Sequence, residues 1–575
     1  IGLVHTRLSL VDLNERSNQP FWDRTGRYCL VYNGELYNYG DLRERLERGG
    51  VTFHTTSDTE VLLEALLHFG VEATLPLLEG MFAFGLYDTE ERALVLARDR
   101  FGIKPLFVHD GESSFVFASE VRAMRPWLAL EPDPLTVSAY LQGFNGPMSG
   151  RSFYQGVTIV PPGAVVRVRQ GGRAEFTQAL TMHELMDPDL AECFAGRSRA
   201  ELVDHVEQLL LESVESQLDA DVPVGAFCSG GVDSSLIMAM AVRSNRDLRV
   251  FHADITGPLS ERHAAERLSR HLNLDLEAVS VGDQDFIDEI PHAVGHFGAP
   301  FANPTLIPIL MVSRLVREHG IKAVLTGEAS DECFLGYRWL VPDVRASIRR
   351  LPRRILQRVI GERPNGRPTA DTGLVMGLMS QFENSMGPAE FHRQPEVTYQ
   401  VGSACGLLGD SDLSYILRTL LYRNDTMGMA SSVESRFPFL DSRVVRASAS
   451  LPYDCKIRFS PKVFDHRHPF FVDKWIVRQV AARYLPPELS QRPKGMFPTN
   501  AFERMEIHDR FFDDSFVAEW YGLARPRLQR LLEGASAGLR IRLMLLEAWA
   551  HVCLRDLPPA ELSERLSSNI LVPAA

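Results

Sequence analysis

The run Ser229-Gly230-Gly231-Val232-Asp233-Ser234-Ser235 constrains this chain most: it follows an apolar stretch, Val222–Phe227, and opens a helical pattern, Ser234–Val242. Strand, glycine turn and helix together make an anion site. Two successive residues without a Cβ let the backbone approach a bound group closely. Free N–H groups at the helix start, backed by the positive end of its dipole, then hold phosphate oxygens. Ser229, Ser234 and Ser235 add hydroxyl donors. A carboxylate at Asp233 would repel phosphate on its own, so its presence implies a bridging Mg²⁺. The candidate nucleotide contacts are Phe227, Ser229, Gly230, Gly231, Val232, Asp233, Ser234 and Ser235. The Walker A pattern is absent, which excludes a P-loop NTPase. A serine-capped turn without a ligand is the plain alternative, and the full pattern between strand and helix speaks against it.

Further along, Ala323-Val324-Leu325-Thr326-Gly327-Glu328-Ala329-Ser330-Asp331-Glu332 repeats the arrangement, an apolar strand ending in a glycine turn with carboxylates. Ligands of a parallel sheet gather at the carboxyl ends of its strands. The two turns are therefore expected to face one crevice. Thr326 and Gly327 join the nucleotide contacts, Asp331 joins Asp233 as a candidate Mg²⁺ ligand, and Glu328 is a candidate general base. A solvated acidic loop is the alternative when this segment is taken alone.

At 575 residues the chain exceeds a single hydrophobic core. Short strands and turns fill the first part: Tyr28–Tyr32 ending at Asn33-Gly34, the hairpin-like pair Met81–Tyr87 and Ala93–Ala97, Ser114–Ala118, and Val165–Val168. Helical spacing marks Leu42–Leu46 and Glu60–His68. Beyond a weakly patterned stretch the order becomes helix Arg199–Leu218, strand, helix, strand Leu248–Ala253, helix Glu261–Leu272, which argues for a parallel sheet. We expect domains at 1–185 and 199–575. The net charge of −13 argues against a dedicated nucleic-acid binder. The seven scattered cysteines fit a reduced, cytoplasmic protein. No apolar run of about 18 residues could span a membrane.

With these motifs in view, the chain resembles the class B, glutamine-hydrolysing asparagine synthetases over nearly its whole length. In the second half the likeness rests on Ser229–Ser235, Thr326–Tyr337, Val433–Asp441, Asp473–Arg478 and Arg492-Pro493-Lys494-Gly495-Met496-Phe497. In the first half it rests on His5–Asp12, Tyr32–Asn38, Ser57–Glu60 and Ala97–Leu106. The resemblance implies an α+β N-terminal-nucleophile (αββα) glutaminase-type domain, followed by an α/β PP-loop domain with added helices. It implies ATP cleaved between the α and β phosphates, an acyl-adenylate, and aspartate as the acceptor. It also implies that Lys494 sits by the reacting carboxylate, where a positive charge stabilises the adenylate. By the same likeness Arg7 pairs with the glutamine α-carboxylate, and Glu35 and Asp58 hold its amino end. The Asn33 side chain and the Gly34 N–H form the oxyanion hole. The implied cofactors and substrates are ATP, Mg²⁺, glutamine and a carboxylate, with neither nucleic acid nor membrane as partner. The residues leave the oligomeric state open, a homodimer among the options.

Some positions depart from the family pattern. The family nucleophile is an N-terminal Cys, whereas this sequence opens at Ile1, inside the pattern. Cys29 sits mid-strand, with no free amine beside it. We expect an upstream truncation rather than a dead domain, because Arg7, Asn33, Glu35 and Asp58 are in place. Material beginning at Ile1 is expected to release no glutamate. Ala329 and Leu335 stand where the family usually has Gly, and His252-Ala253-Asp254-Ile255 is unusual for the adenine side. Arg345, Arg349, Arg350, Arg353, Arg354 and Arg358 fall at helical spacing, read as a solvated face ahead of an acidic or carrier-protein contact. His292 and His296 lack a third ligand for Zn²⁺. The alternatives on this scaffold are a natural-product tailoring amidotransferase and a β-lactam-synthetase-like cyclase; a non-catalytic nucleotide-binding regulator is a more distant one.

Overall fold

The computed structural model describes residues 1–141, 143, 150–257, 260–301, 303–337, 417–460, 471–493 and 500–573. Antiparallel strands build the first half: β1 (Phe21–Trp22), β2 (Tyr28–Leu36), β3 (Gly80–Asp88), β4 (Ala93–Arg98), β5 (Phe107–Asp110), β6 (Phe115–Ala118), β7 (Thr158–Ile159), β8 (Ala164–Arg169) and β9 (Glu175–Gln178). They form one sheet ordered β1-β2-β3-β4-β8-β9 and a second ordered β6-β5-β7. Leu96, Leu106, Val108 and Val166 pack between the two sheets. The helices Tyr39–Arg48 and Asp58–Phe69 cover the outer face through Leu42, Leu46, Leu62 and Leu66, against Leu30, Phe82 and Phe84. The strand expected to stop at Asn33-Gly34 instead runs on to Leu36. Gly34 lies opposite Phe82 in register, and a Cβ there would fall 2.1 Å from the Met81 carbonyl oxygen. That glycine serves a close approach between strands, not a turn.

The second half opens with the helix Arg199–Leu218, whose Ser198 and Glu201 form a capping box. The strands β10 (Val224–Phe227), β11 (Arg249–Ile255), β12 (Leu276–Val281), β13 (Ala323–Leu325) and β14 (Glu434–Arg436) then make a wholly parallel sheet ordered β12-β11-β10-β13-β14. The helices Val232–Ser244 and Arg262–Leu272 cross between successive strands as the spacing predicted. Strand order reverses at β10, so β11 lies on one side and β13 on the other. In such sheets the ligand crevice opens at that switch point, beyond the carboxyl ends of the strands.

The two halves share their cores. Leu10, Met81, Phe101 and Ile103 pack into one cluster with the helices of the parallel sheet. Tyr140, Phe153 and Tyr154 pack with Trp549 of the C-terminal helix Ala537–Trp549. A buried row of basic and acidic side chains joins the two halves. Lys104 Nζ lies 2.9 Å from Asp425 and 3.2 Å from Glu434. Arg436 lies 3.4 Å from Glu434 and 3.6 Å from Glu35. Burial alone would lower the Lys104 pKa, but Asp425 and Glu434 hold it above the usual lysine value.

Removing one member of a desolvated ion pair costs about 3–5 kcal/mol, because the partner is left charged in a poor solvent. Lys104→Met should lower unfolding stability by that amount in a denaturant titration. Adding Asp425→Asn should recover part of the loss, because Glu434 still has Arg436 as its partner. A single-variant cost under about 1 kcal/mol would show that these charges are not desolvated.

Candidate active site

The candidate phosphate loop joins β10 to the helix Val232–Ser244, and its own hydroxyls shape it. The Ser229 and Ser234 hydroxyls are 2.9 Å apart, and the Gly231 N–H donates to Ser229 Oγ at 3.3 Å. Gly230 adopts φ +70°, a left-handed conformation glycine takes without strain. Ser235 is buried, with its hydroxyl unpartnered among the described residues.

The second turn, after β13, packs directly on this loop. A Cβ at Gly327 would fall 2.4 Å from the Ser234 nitrogen, so only glycine permits the contact. The Thr326 N–H donates to the Arg436 carbonyl of β14 at 2.9 Å. Ser330 Oγ donates to Asp233 Oδ1 at 2.6 Å, linking the two acidic segments. A Cβ at Gly336 would collide with Asp331 Oδ1, so that glycine leaves room for the carboxylate. Ala329 and Leu335, which depart from the family pattern, adopt φ +73° and +60°. Glycine would take these angles without cost, whereas a side chain pays roughly 1–2 kcal/mol.

Asp233 and Asp331 do converge, and what lies between them is a lysine. Lys474 Nζ donates to Asp233 Oδ2 at 2.6 Å and to Asp331 Oδ1 at 2.8 Å. Only 1% of its side chain is exposed. Burial alone would lower the Lys474 pKa; Asp233 and then Asp331 hold it above the usual value. Among the described residues no three His, Cys, Asp or Glu side chains gather as a metal site. Two hard oxygen donors still suit Mg²⁺, which is commonly held by one or two carboxylates plus phosphate and water. The residues therefore fit the ion, with Lys474 competing for the same two carboxylates.

Glu328 is about one-third exposed and pairs with the buried Arg423 at 2.6 Å; Arg423 also donates to Thr305. Glu332 accepts from the Tyr337 hydroxyl at 2.5 Å. Burial, then the neighbouring Asp331, pushes the Glu332 carboxyl up to about 7. Lys494 and the arginines from 345 to 358 lie outside the described residues.

In the first half, Glu35 and Asp58 are both buried, and the Asp58 carboxylate raises Glu35. Asp58 accepts from the Tyr32 hydroxyl at 2.9 Å and from the Leu36 N–H at 3.2 Å. Burial pushes Asp58 up to about 6, and burial with Asp58 pushes Glu35 well above the carboxylate range. Asn33 Nδ2 donates to Ser119 Oγ at 3.2 Å. The Arg7 guanidinium is spent on the carbonyls of Val11, Asp12 and Asn14. Cys29 is buried in β2, its thiol pushed up to about 11 by burial. Sequence reasoning gave no role to Lys474, Arg423, Ser330 or Tyr337. Asp473–Arg478 and Thr326–Tyr337 had been marked by resemblance, which was the signal for three of them.

Comparison with known proteins agrees with both halves. A family model described as asparagine synthase matches residues 205–550, and one described as a glutamine amidotransferase domain matches residues 1–179. The glutamine-hydrolysing asparagine synthetase 1 of Bacillus subtilis is 29% identical over 526 residues, covering 87% of this chain and 80% of that protein. A Mycobacterium bovis protein named for the same activity is 31% identical over 541 residues, covering 86% and 78%. The amidase chyE of Penicillium rubens is 27% identical over 549 residues, covering 85% and 79%. The chain belongs to the asparagine synthase family, as an enzyme with a glutamine amidotransferase domain ahead of its synthase domain.

Proposed function

We propose that the synthase half uses MgATP to activate a carboxylate and then amidates it, with aspartate as the acceptor. The observation carrying this reading is the convergence of Asp233 and Asp331 where Gly327 packs against the phosphate loop. The loop N–H groups and the hydroxyls of Ser229, Ser234 and Ser235 hold phosphate oxygens. When bound, Mg²⁺ would lie on Asp233 and Asp331 and neutralise charge on the departing pyrophosphate. An acceptor carboxylate oxygen attacks the α-phosphorus, and the bond to the β-phosphate breaks. Ammonia nitrogen then attacks the acyl carbon, AMP departs, and the surplus proton passes to Glu328, held by Arg423. Lys494 is assigned, by resemblance, to the charge developing on the adenylate. In the first half, Arg7, Asn33, Gly34, Glu35 and Asp58 are assigned to glutamine, whose binding requires Arg7 to exchange its carbonyl partners for a carboxylate.

Pyrophosphate release with MgATP, aspartate and ammonium salt tests the central claim. Release dependent on aspartate supports it. Nucleotide binding without release excludes aspartate and favours the tailoring reading, to which the amidase relative lends weight.

Lys474→Met removes the cation between two carboxylates. In the nucleotide-free protein it should tighten Mn²⁺ binding, read by electron paramagnetic resonance. Unchanged Mn²⁺ affinity would mean that Asp233 and Asp331 are not a cation site.

Glutamine binding should depend on pH through Asp58. Its raised pKa means the free protein holds a proton there below about pH 6. The glutamine ammonium favours the ionised carboxylate, so binding must release that proton. Affinity should fall as pH drops through 6, approaching tenfold per unit from Asp58 alone and more steeply where Glu35, raised by burial and by Asp58, also takes up a proton. Calorimetry showing the same affinity at pH 5 and pH 7 would remove Asp58 from the glutamine site.

A further inference from the structure

We propose that Arg492 is a positioning residue that locks the Gly230–Gly231 peptide in its phosphate-binding orientation, an inference that rests on the phosphate-loop reading above. Arg492 Nη1 donates to the Gly230 carbonyl at 2.5 Å, and Nη2 pairs with Glu261 at 2.9 Å. Glu261 is the residue just before the helix Arg262–Leu272, so the guanidinium bridges that helix start to the loop. It is mostly buried, with its side chain 23% exposed.

A trans peptide is planar, so its C=O and N–H point in opposite directions. With the Gly230 carbonyl turned outward to Arg492, the Gly231 N–H must turn inward. It faces the Ser229 hydroxyl, which in turn contacts Ser234. Successive inward N–H groups make a concavity that binds anions. Glycine on both sides of this peptide makes the opposite orientation easy to reach, since neither residue carries a Cβ to block the rotation. A flipped peptide would aim a carbonyl oxygen at the phosphate, replacing attraction with repulsion. The sequence Gly-Gly thus permits close approach but does not select the orientation. The selection comes from Arg492, fixed in the chain more than two hundred residues later. Sterics assist, because a Cβ at Gly230 would lie 2.9 Å from the Ala264 Cβ and 3.1 Å from Arg492 Nη1.

Arg492→Met keeps bulk and removes both donors. Arg492→Lys keeps one donor and loses the fork to Glu261. Equilibrium binding of MgATP, magnesium pyrophosphate and adenosine should be measured on the wild type and both variants. Losing a charge-assisted contact or an inward donor weakens binding about tenfold or more. We expect that loss for MgATP and pyrophosphate in Arg492→Met, a smaller loss in Arg492→Lys, and unchanged adenosine binding in both. With aspartate and ammonium present, the KM for ATP should rise more than kcat falls. Wild-type-like pyrophosphate binding in a folded Arg492→Met protein overturns the proposal, as does an equal loss of adenosine binding. Should Arg492→Met not fold, Arg492→Lys decides on the same two criteria. A wild type that binds neither MgATP nor pyrophosphate would instead defeat the phosphate-loop reading itself, whatever the variants do.

Discussion

The row Asp425–Lys104–Glu434–Arg436–Glu35 fixes how the two halves of this enzyme sit together. Charges removed from water must be paired at close range, and a small slip between the halves would leave several unpaired at once. The row also carries geometry from one site to the other. Arg436 reaches toward Glu35 with its side chain, while its backbone carbonyl accepts the Thr326 N–H at the turn after β13. A single residue of β14 therefore touches both the candidate glutamine site and the candidate nucleotide site. Its position depends on Glu434, which depends in turn on Lys104 from the other half.

Close backbone contact does the corresponding work inside the synthase half. Gly327 against Ser234 brings the two acidic turns within reach, and Gly336 leaves Asp331 its place. Those contacts bring two carboxylates together in a desolvated pocket, which would be unfavourable without a cation. Lys474 supplies it. The pocket is balanced by a residue of the chain itself, and a divalent ion bound there would compete with that residue for the same oxygens.

Much of this could be read from the sequence because it follows from local rules. The alternation of strand and helix from Arg199 to Leu272 specified the parallel sheet, and the glycine-serine run marked the turn between β10 and the helix Val232–Ser244. The convergence of Asp233 and Asp331 followed from sheet topology alone. What stayed hidden depends on distant segments. Lys474 is 241 residues from Asp233, and Arg423 is 95 from Glu328. No periodicity or spacing connects such pairs; only the folded chain does. Gly34 misled for a related reason. Asn-Gly reads locally as a turn, but the constraint on Gly34 comes from Met81 on the neighbouring strand, 47 positions away in the sequence.

The backbone around Asp331 supports reading this region as a site rather than as scaffold. Ala329, Leu335 and Lys474 all adopt left-handed angles, at φ +73°, +60° and +46°. Ala329 and Leu335 bracket the short helix Ser330–Phe334 that carries Asp331, and Lys474 is the cation that meets it. Each such residue costs free energy that an ordinary turn would avoid, and clusters of them persist where the surrounding structure over-determines the geometry. Here the over-determination is visible: Lys474 is held by two carboxylates, and Asp331 by Lys474 and the space at Gly336. Packing alone would have relaxed these angles or placed glycine at Ala329. Their persistence indicates that the exact placement of Asp331 against Asp233 matters more to this chain than the local stability it forgoes.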